Sequence, residues 1–307
     1  MISSEATISE KTIYIRQPNA ALWMICPDIH PFSMGWRMGY GEGYKWDLLD
    51  WLKTLSEDDQ KQYRKMFPPP TIWSRVWEGY WLDSDSEYCS HEQFYEKGIG
   101  NYGIEHWKEK GIPKYSKEWL LSNGDNVEFI FFWQPGDITF EPKCCFCQWQ
   151  YSYFRDGTKK KYNCAEQYMM AEKARLFEDE KAEKLIMASA DPKQMKAFGR
   201  MVKNFKENIW LKLRYSVVLH GNYFKFTQNE DMRNILLATE GKILVEASPL
   251  DKVWGIGYAE DNINAANPKN WRGSNLLGFA LMEVRDELKR VYQNYEKVDW
   301  TQFDESN

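Results

Sequence analysis

The chain has 307 residues, 43% of them apolar and 28% charged, with a formal net charge of −5. That length holds one large domain or two ordinary ones around a substantial core. Residues 1–120 balance at −4 and the remainder at −1, which excludes a basic nucleic-acid glove, so any polynucleotide contact must be local.

No apolar run reaches the roughly 18 residues of a membrane span, and the polar, mixed-charge stretch Met1–Lys11 lacks the apolar segment of a signal peptide. Six cysteines without regular spacing make no disulfide framework. The expected location is a reducing one, cytoplasmic or nuclear, and nothing in the sequence sets an oligomeric state.

Residues 1–20 read as a frayed leader. Trp23 to Pro31 reads as a short apolar strand closing in a proline-bounded loop. Gly39, Gly41 and Gly43 lack the spacing of a dinucleotide fingerprint and read as a flexible turn. Helical periodicity then runs through Trp46, Leu49, Leu52 and Leu55. Ser56 predicts the N-cap of a second helix with Asp59 at its third position, stopped by Pro68-Pro69-Pro70. Nine of the fifteen tryptophans precede residue 129, and residues 71–126 alternate aromatic and polar side chains. They predict an irregular Trp-rich layer, in which core packing is the plain reading of so much aromatic area. Asn123-Gly124-Asp125 marks its end. The organisation expected is a Trp-rich extension over 1–125, a second domain over 126–295 and a tail over 296–307.

Val127 to Trp133 predicts a buried strand, and Asp156-Gly157 a turn. Helices follow over 163–174 and 181–190, then a restart with Asp191 as N-cap and Pro192 at the first helical position. Further helices fit 208–220, 230–239 and 275–295, with a short strand at 243–246. The fold class expected is α+β, predominantly helical with a small sheet.

The helix from Asn163 to Ala174 carries the chemistry of most interest. The seven-residue step from Glu166 to Lys173 returns to within about 20° of the same azimuth, and Met169, Met170 and Phe177 share that side. An acid and an amine on an apolar face suggest proton transfer or covalent chemistry. The structural alternative is equally specific: Asn163 with Glu166 is a capping-box pattern, and Lys173 can lay its stem on the face with its ammonium in water.

Elsewhere, Cys144 and Cys147 satisfy CxxC, but no histidine lies at metal spacing nearby, so buried inert thiols are expected and no metal or cofactor. Lys193, Lys196, Arg200 and Lys203 span an arc of roughly 80° on one helix, a solvated face or a phosphate-binding stripe. The segment Val245 to Gly257 puts a carboxylate, Trp254 and two glycines in a loop after a strand. Gly255 there would admit a ligand to the backbone, and Trp254 offers a stacking surface. Ser274 or Asn275 would cap the last helix, whose N-terminus is a candidate anion site.

Taken in order, Ala165-Glu166-Gln167-Tyr168, Glu172-Lys173-Ala174, Asp191-Pro192, Gly199-Arg200, Trp210, Lys225-Phe226, Leu236 to Thr239, Val245-Glu246-Ala247, Asp251, Trp254-Gly255 and Gly273 to Gly278 with Met282 and Arg285 resemble the NADAR family, the YbiA-like N-glycosidases. The resemblance covers about residues 129–292 and leaves the Trp-rich extension without a counterpart. It implies hydrolysis of an N-glycosidic bond in phosphorylated or ADP-ribosylated ribosides. One branch of the family acts on riboflavin-pathway intermediates, the other on guanine-linked ADP-ribose in nucleic acid or nucleotide. By position it implies active-site roles for Glu166, Trp210 and Asp251, and covalent catalysis by Lys173. The family's Phe-Ser-Asn-Phe motif is Phe146-Cys147-Gln148-Trp149 in this chain, so Gln148 and Trp149 stand where substrate contacts are expected.

The expectation that follows is an ADP-ribose–guanine N-glycosidase, with ADP-ribosylated DNA or RNA as a macromolecular partner and no membrane. Glu166, Lys173 and Asp251 are its candidate catalytic groups. Gln148, Trp149, Lys196, Arg200, Trp210, Trp254, Gly255 and Asn275 are its candidate substrate contacts. A riboflavin-intermediate glycosidase and a non-catalytic ADP-ribose-binding module are the alternatives.

Overall fold

Apolar residues recurring at three- and four-residue spacing give helices that each bury one stripe, and the architecture follows from how those stripes meet. The computed structural model describes residues 18–31, 33–71, 73, 76–77, 113–123, 127–156 and 160–303. Residues 1–17 of the leader expected over 1–20, residues 78–112 of the Trp-rich layer expected over 71–126, and the turn residues Gly124, Asp125 and Gly157 lie outside the described residues.

The N-terminal part is helical from Leu22. Where a strand is expected, Leu22–Ile25 forms the one-turn α1, because the Trp23 ring packs against Trp73 and Trp77 at 5.7 and 5.0 Å rather than standing on a sheet. The glycine cluster is a turn only at Gly39 and Tyr40, while Gly41 and Gly43 are helical. Gly35–Met38 forms α2, and Gly41 opens α3 (Gly41–Thr54). Ile29 and Trp36 press so closely on Gly41 that a β-carbon would lie 2.8 Å from each. In α4 (Glu57–Met66) the expected cap is present, with Ser56 Oγ accepting from the Asp59 amide at 3.2 Å.

Trp23, Trp36, Tyr63, Phe67, Trp73 and Trp77 are all buried in one aromatic cluster continuous with the core of the C-terminal half. Polar contacts fasten this extension to α11 (Leu276–Val291) and the segment after it. Thr71 donates twice to Glu287 Oε1, Lys114 N donates to Glu283, Tyr115 to Asp286, and Asn294 to the Met66 carbonyl. Lys117–Asn123 forms α5.

In the second half β1 (Phe129–Phe132) pairs in parallel with β4 (Ile243–Glu246), Phe132 opposite Glu246. A short antiparallel pair joins β2 (Phe154–Arg155) to β3 (Lys161–Tyr162). Between them and β4 run α6 (Ala165–Leu176), α7 (Glu180–Ala188), α8 (Pro192–Arg200), α9 (Glu207–Gln228) and α10 (Glu230–Leu237). The fold is thus mainly helical with a small sheet. Helices α7, α8 and α9 pack around α6, while α11 packs against both α9 and β4.

Helix α9 continues eight residues past the expected end. Gly221 faces Tyr168 of α6 so closely that a β-carbon would sit 2.6 Å from the ring. That packing outweighs the helix penalty of glycine, about 1 kcal/mol. Among the described residues, no helix is long and apolar enough to cross a membrane.

Candidate active site

Glu166 is not a capping residue. The reciprocal bond to the chain before α6 comes from Gln167, whose Oε1 accepts from the Asn163 amide at 2.9 Å, while its amide group donates to the Ile186 and Ser189 carbonyls. Glu166 is left with its amide on the Gln148 carbonyl at 3.0 Å and its side chain turned inward, 5% exposed. The Trp149 side chain hydrogen-bonds this carboxyl. Among the described residues, Oε1 has no partner. Burial raises the carboxyl to about 7; Lys196 and Trp149 pull it back, Asp251 pushes it further up, and Arg200 lowers it.

The turn that carries Gln148 and Trp149 is held from below by α9. Lys225 is fully buried, and its ammonium donates to the Cys145 carbonyl at 2.6 Å and the Cys147 carbonyl at 3.0 Å. Asn222, one turn earlier on α9, donates to Gln148 Oε1 at 3.1 Å. Gln148 is thus positioned by the scaffold through its Oε1. The CxxC thiols are buried, and burial pushes Cys147 up to about 12 and raises Cys144 as well.

Lys196, on α8, brings the cation that Glu166 feels first. Its ammonium lies 3.8 Å from Asp251 Oδ2 and 5.9 Å from the Trp149 ring centre. Arg200 is the exposed last residue of the same helix. Lys203 lies beyond the helix end, with its amide bonded to Asp179 at 2.8 Å, so the expected four-residue stripe is three residues long.

The loop after β4 delivers the second carboxylate. Asp251 Oδ1 accepts from the amides of Val253 and Trp254 at 2.9 and 2.8 Å, leaving Oδ2 for Lys196. The loop is folded back on the strand by the Ile256 amide on the Glu246 carbonyl. Gly255 sits at that crossing, where a β-carbon would come within 2.8 Å of the Glu246 carbonyl. Its glycine serves chain packing rather than the ligand approach expected. Asn275 is likewise a correction. It is wholly buried, in a left-handed conformation at φ 52°, and bonds the Glu246 amide and the Leu244 carbonyl instead of capping α11 or meeting an anion.

Lys173 does not face Glu166. Its ammonium lies 4.3 Å from the Phe205 ring centre and 5.6 Å from that of Trp210, and burial together with Arg200 lowers its pKa. The helical step puts both groups on one side of α6, but α8 enters between their surroundings. Lys196 attends the acid, and Arg200 influences both. Trp254 is flanked by the guanidinium of Arg214, 5.9 Å from its ring centre, which also feels Asp251.

Two groups escaped the sequence reading. Arg214 is one. Glu246 is the other: its Oε2 is buried and, among the described residues, unpartnered, and the carboxyl is pushed up to about 8 by burial, then by Asp251 and Glu166 against Lys196. The signal was a carboxylate ending the carboxyl end of a parallel strand, where ligand sites of such sheets gather.

Residues 131–289 match the model of the NADAR domain. The chain belongs to the NADAR domain family. An N-glycosidase of Acanthamoeba polyphaga mimivirus is 44% identical over 147 residues, 46% of this chain and 86% of the relative. Protein irg-1 of Caenorhabditis elegans is 41% identical over 143 residues, 45% of this chain and 68% of the relative. The N-glycosidase YbiA of Escherichia coli is 32% identical over 130 residues, 42% and 72%. The NMR structure of E. coli YbiA covers 53% of this chain and 86% of its own, at 28% identity and a TM-score of 0.43.

Proposed function

We propose that this NADAR protein is an N-glycosidase that hydrolyses an ADP-ribosylated substrate, releasing ADP-ribose from modified guanine in nucleic acid or nucleotide. The observation that carries the hydrolase reading is the buried Glu166 carboxyl, set near neutrality and faced by Asp251 and Lys196. Relatives named N-glycosidases support the bond type.

Breaking the bond between C1 of ribose and a base nitrogen builds positive charge on the sugar and negative charge on the nitrogen. A carboxyl titrating near 7 holds and releases protons at physiological pH, which suits Glu166 to proton transfer. Asp251, steadied by two backbone amides, suits stabilisation of the cationic sugar. The lowered pKa of Lys173 supports a covalent route. In that alternative to direct attack by water its neutral amine attacks C1, and the C1–N bond breaks with its electron pair and a proton leaving on the base. The ring C1–O bond of the glycosylamine then opens with a proton to that oxygen to give an imine, and water hydrolyses the imine to free the amine and the sugar. Trp149, Trp210 and Trp254 offer faces for rings, while Lys196, Arg200 and Arg214 offer cations for a diphosphate. Three cations favour a diphosphate over a monophosphate substrate.

The test is product analysis after incubation with guanine-ADP-ribosylated DNA and, separately, with a phosphorylated riboflavin-pathway riboside. Released ADP-ribose from the first supports the proposal. Product from the second alone assigns the metabolic activity, and ligand binding without product in either overturns the enzyme reading.

A further inference from the structure

The second buried carboxyl has no role in the steps above. Glu246 ends β4, and its backbone is fixed on both sides: its amide donates to Asn275 Oδ1 at 2.9 Å, and its carbonyl accepts from Ile256 at 2.9 Å. The side chain therefore leaves a rigid strand end. Among the described residues, nothing bonds its buried Oε2, and the same holds for Oε1 of Glu166. Two neighbouring acids, each with one orphaned oxygen, are costly to bury unless a ligand supplies the missing partner.

We propose that Glu246 is the resident proton donor of this site, delivering its proton to the departing base nitrogen while the Glu166 carboxylate takes the proton of the attacking water. The inference rests on the N-glycosidase reading and divides the labour within it. The C1–N bond breaks and its electron pair goes to nitrogen, which gains the Glu246 proton. Water oxygen bonds C1 and loses its proton to Glu166. Glu246 ends ionised and Glu166 neutral, and exchange with solvent restores both.

The electrostatics agree with this order. The groups acting on Glu246 are Asp251 from the following loop, Glu166 from α6 and Lys196 from α8, with Cys147 of the preceding turn also in range. Lys196 and the Trp149 hydrogen bond favour the ionised form of Glu166, whereas the strongest neighbour of Glu246 is the Asp251 carboxylate, so the proton of the pair stays with Glu246. Two coupled carboxyls with values pushed apart are the arrangement that lets one act as acid and the other as base.

Infrared titration of the carboxyl C=O band, with no substrate present, reads the protons directly. The wild type should lose one band near pH 7 and a second near pH 8. Glu246→Gln should remove the later loss and leave the earlier one in place, whereas Glu166→Gln should leave one loss, moved to lower pH because the Glu166 charge that raises Glu246 is gone. In steady-state assays on the substrate that the product analysis identifies, Glu246→Gln should lower kcat by about a hundredfold or more. It should abolish the fall in activity at high pH while keeping the fall at low pH. Glu246→Asp, which keeps the acid, should retain both limbs at reduced rate and covers the case in which the amide variant does not fold. A variant with wild-type kcat, or with an unchanged high-pH limb, overturns the proposal. If no substrate is turned over, the N-glycosidase reading fails, and the infrared titration alone decides whether Glu246 holds its proton past neutrality.

Discussion

Replacing Glu166 with glutamine should stabilise the protein at alkaline pH while eliminating its activity. The carboxyl is 5% exposed and titrates at about 7 against the 4.5 of an unburied glutamate. A folded-state value above the unfolded one means that the folded chain binds the proton more tightly. Stability is therefore unpenalised below about pH 4.5 and declines as pH rises towards 7. Each pH unit of difference is worth about 1.4 kcal/mol, so the ionised carboxylate costs the fold roughly 3 kcal/mol above pH 7. The amide keeps the size of the side chain and the acceptor for Trp149 but never ionises. Urea unfolding of wild type and Glu166→Gln at several pH values between about 4.5 and 8 measures the difference directly. It should grow from near zero to about 3 kcal/mol in favour of the variant. A difference that stays flat with pH, or that favours the wild type at pH 8, refutes the claim that burial sets this carboxyl.

Three further outcomes are expected. Lys196→Met removes the cation that lowers both Glu166 and Glu246, so both limbs of the activity profile should move to higher pH; profiles of kcat/KM against pH check this. Lys225→Met leaves the Cys145 and Cys147 carbonyls without their buried donor and should cost about 3 kcal/mol of stability, seen as a lower denaturant midpoint. Borohydride added during turnover separates the two routes: direct attack by water should leave no sugar adduct on Lys173 in peptide mass spectrometry, and a trapped adduct would assign the covalent route instead. No adduct, with activity retained in Lys173→Arg, assigns direct hydrolysis.

Local chemistry alone determined much of this molecule. The Ser56 and Asp191 caps, the proline stop after α4, the strand at Ile243–Glu246 and the predominance of helix all rest on interactions within a few residues, which a sequence displays. The family resemblance was legible for the same reason: its motifs sit at segment ends and loops that can be read in order. At several places where distant segments meet, the sequence misled. Gly41 and Gly221 look like breaks but lie in helices, because Ile29, Trp36 and Tyr168 close on them from elsewhere in the chain. The heptad from Glu166 to Lys173 suggested a pair, yet α8 inserts Lys196 beside the acid and leaves the amine among Phe205, Trp210 and Arg200. The proximity of Glu246 to Glu166 joins the end of a strand to the start of a helix some eighty residues earlier. Periodicity reports which side of its own element a residue faces. Which charge stands opposite, and so which carboxyl keeps its proton, is decided only when helices and sheet pack together and exclude water.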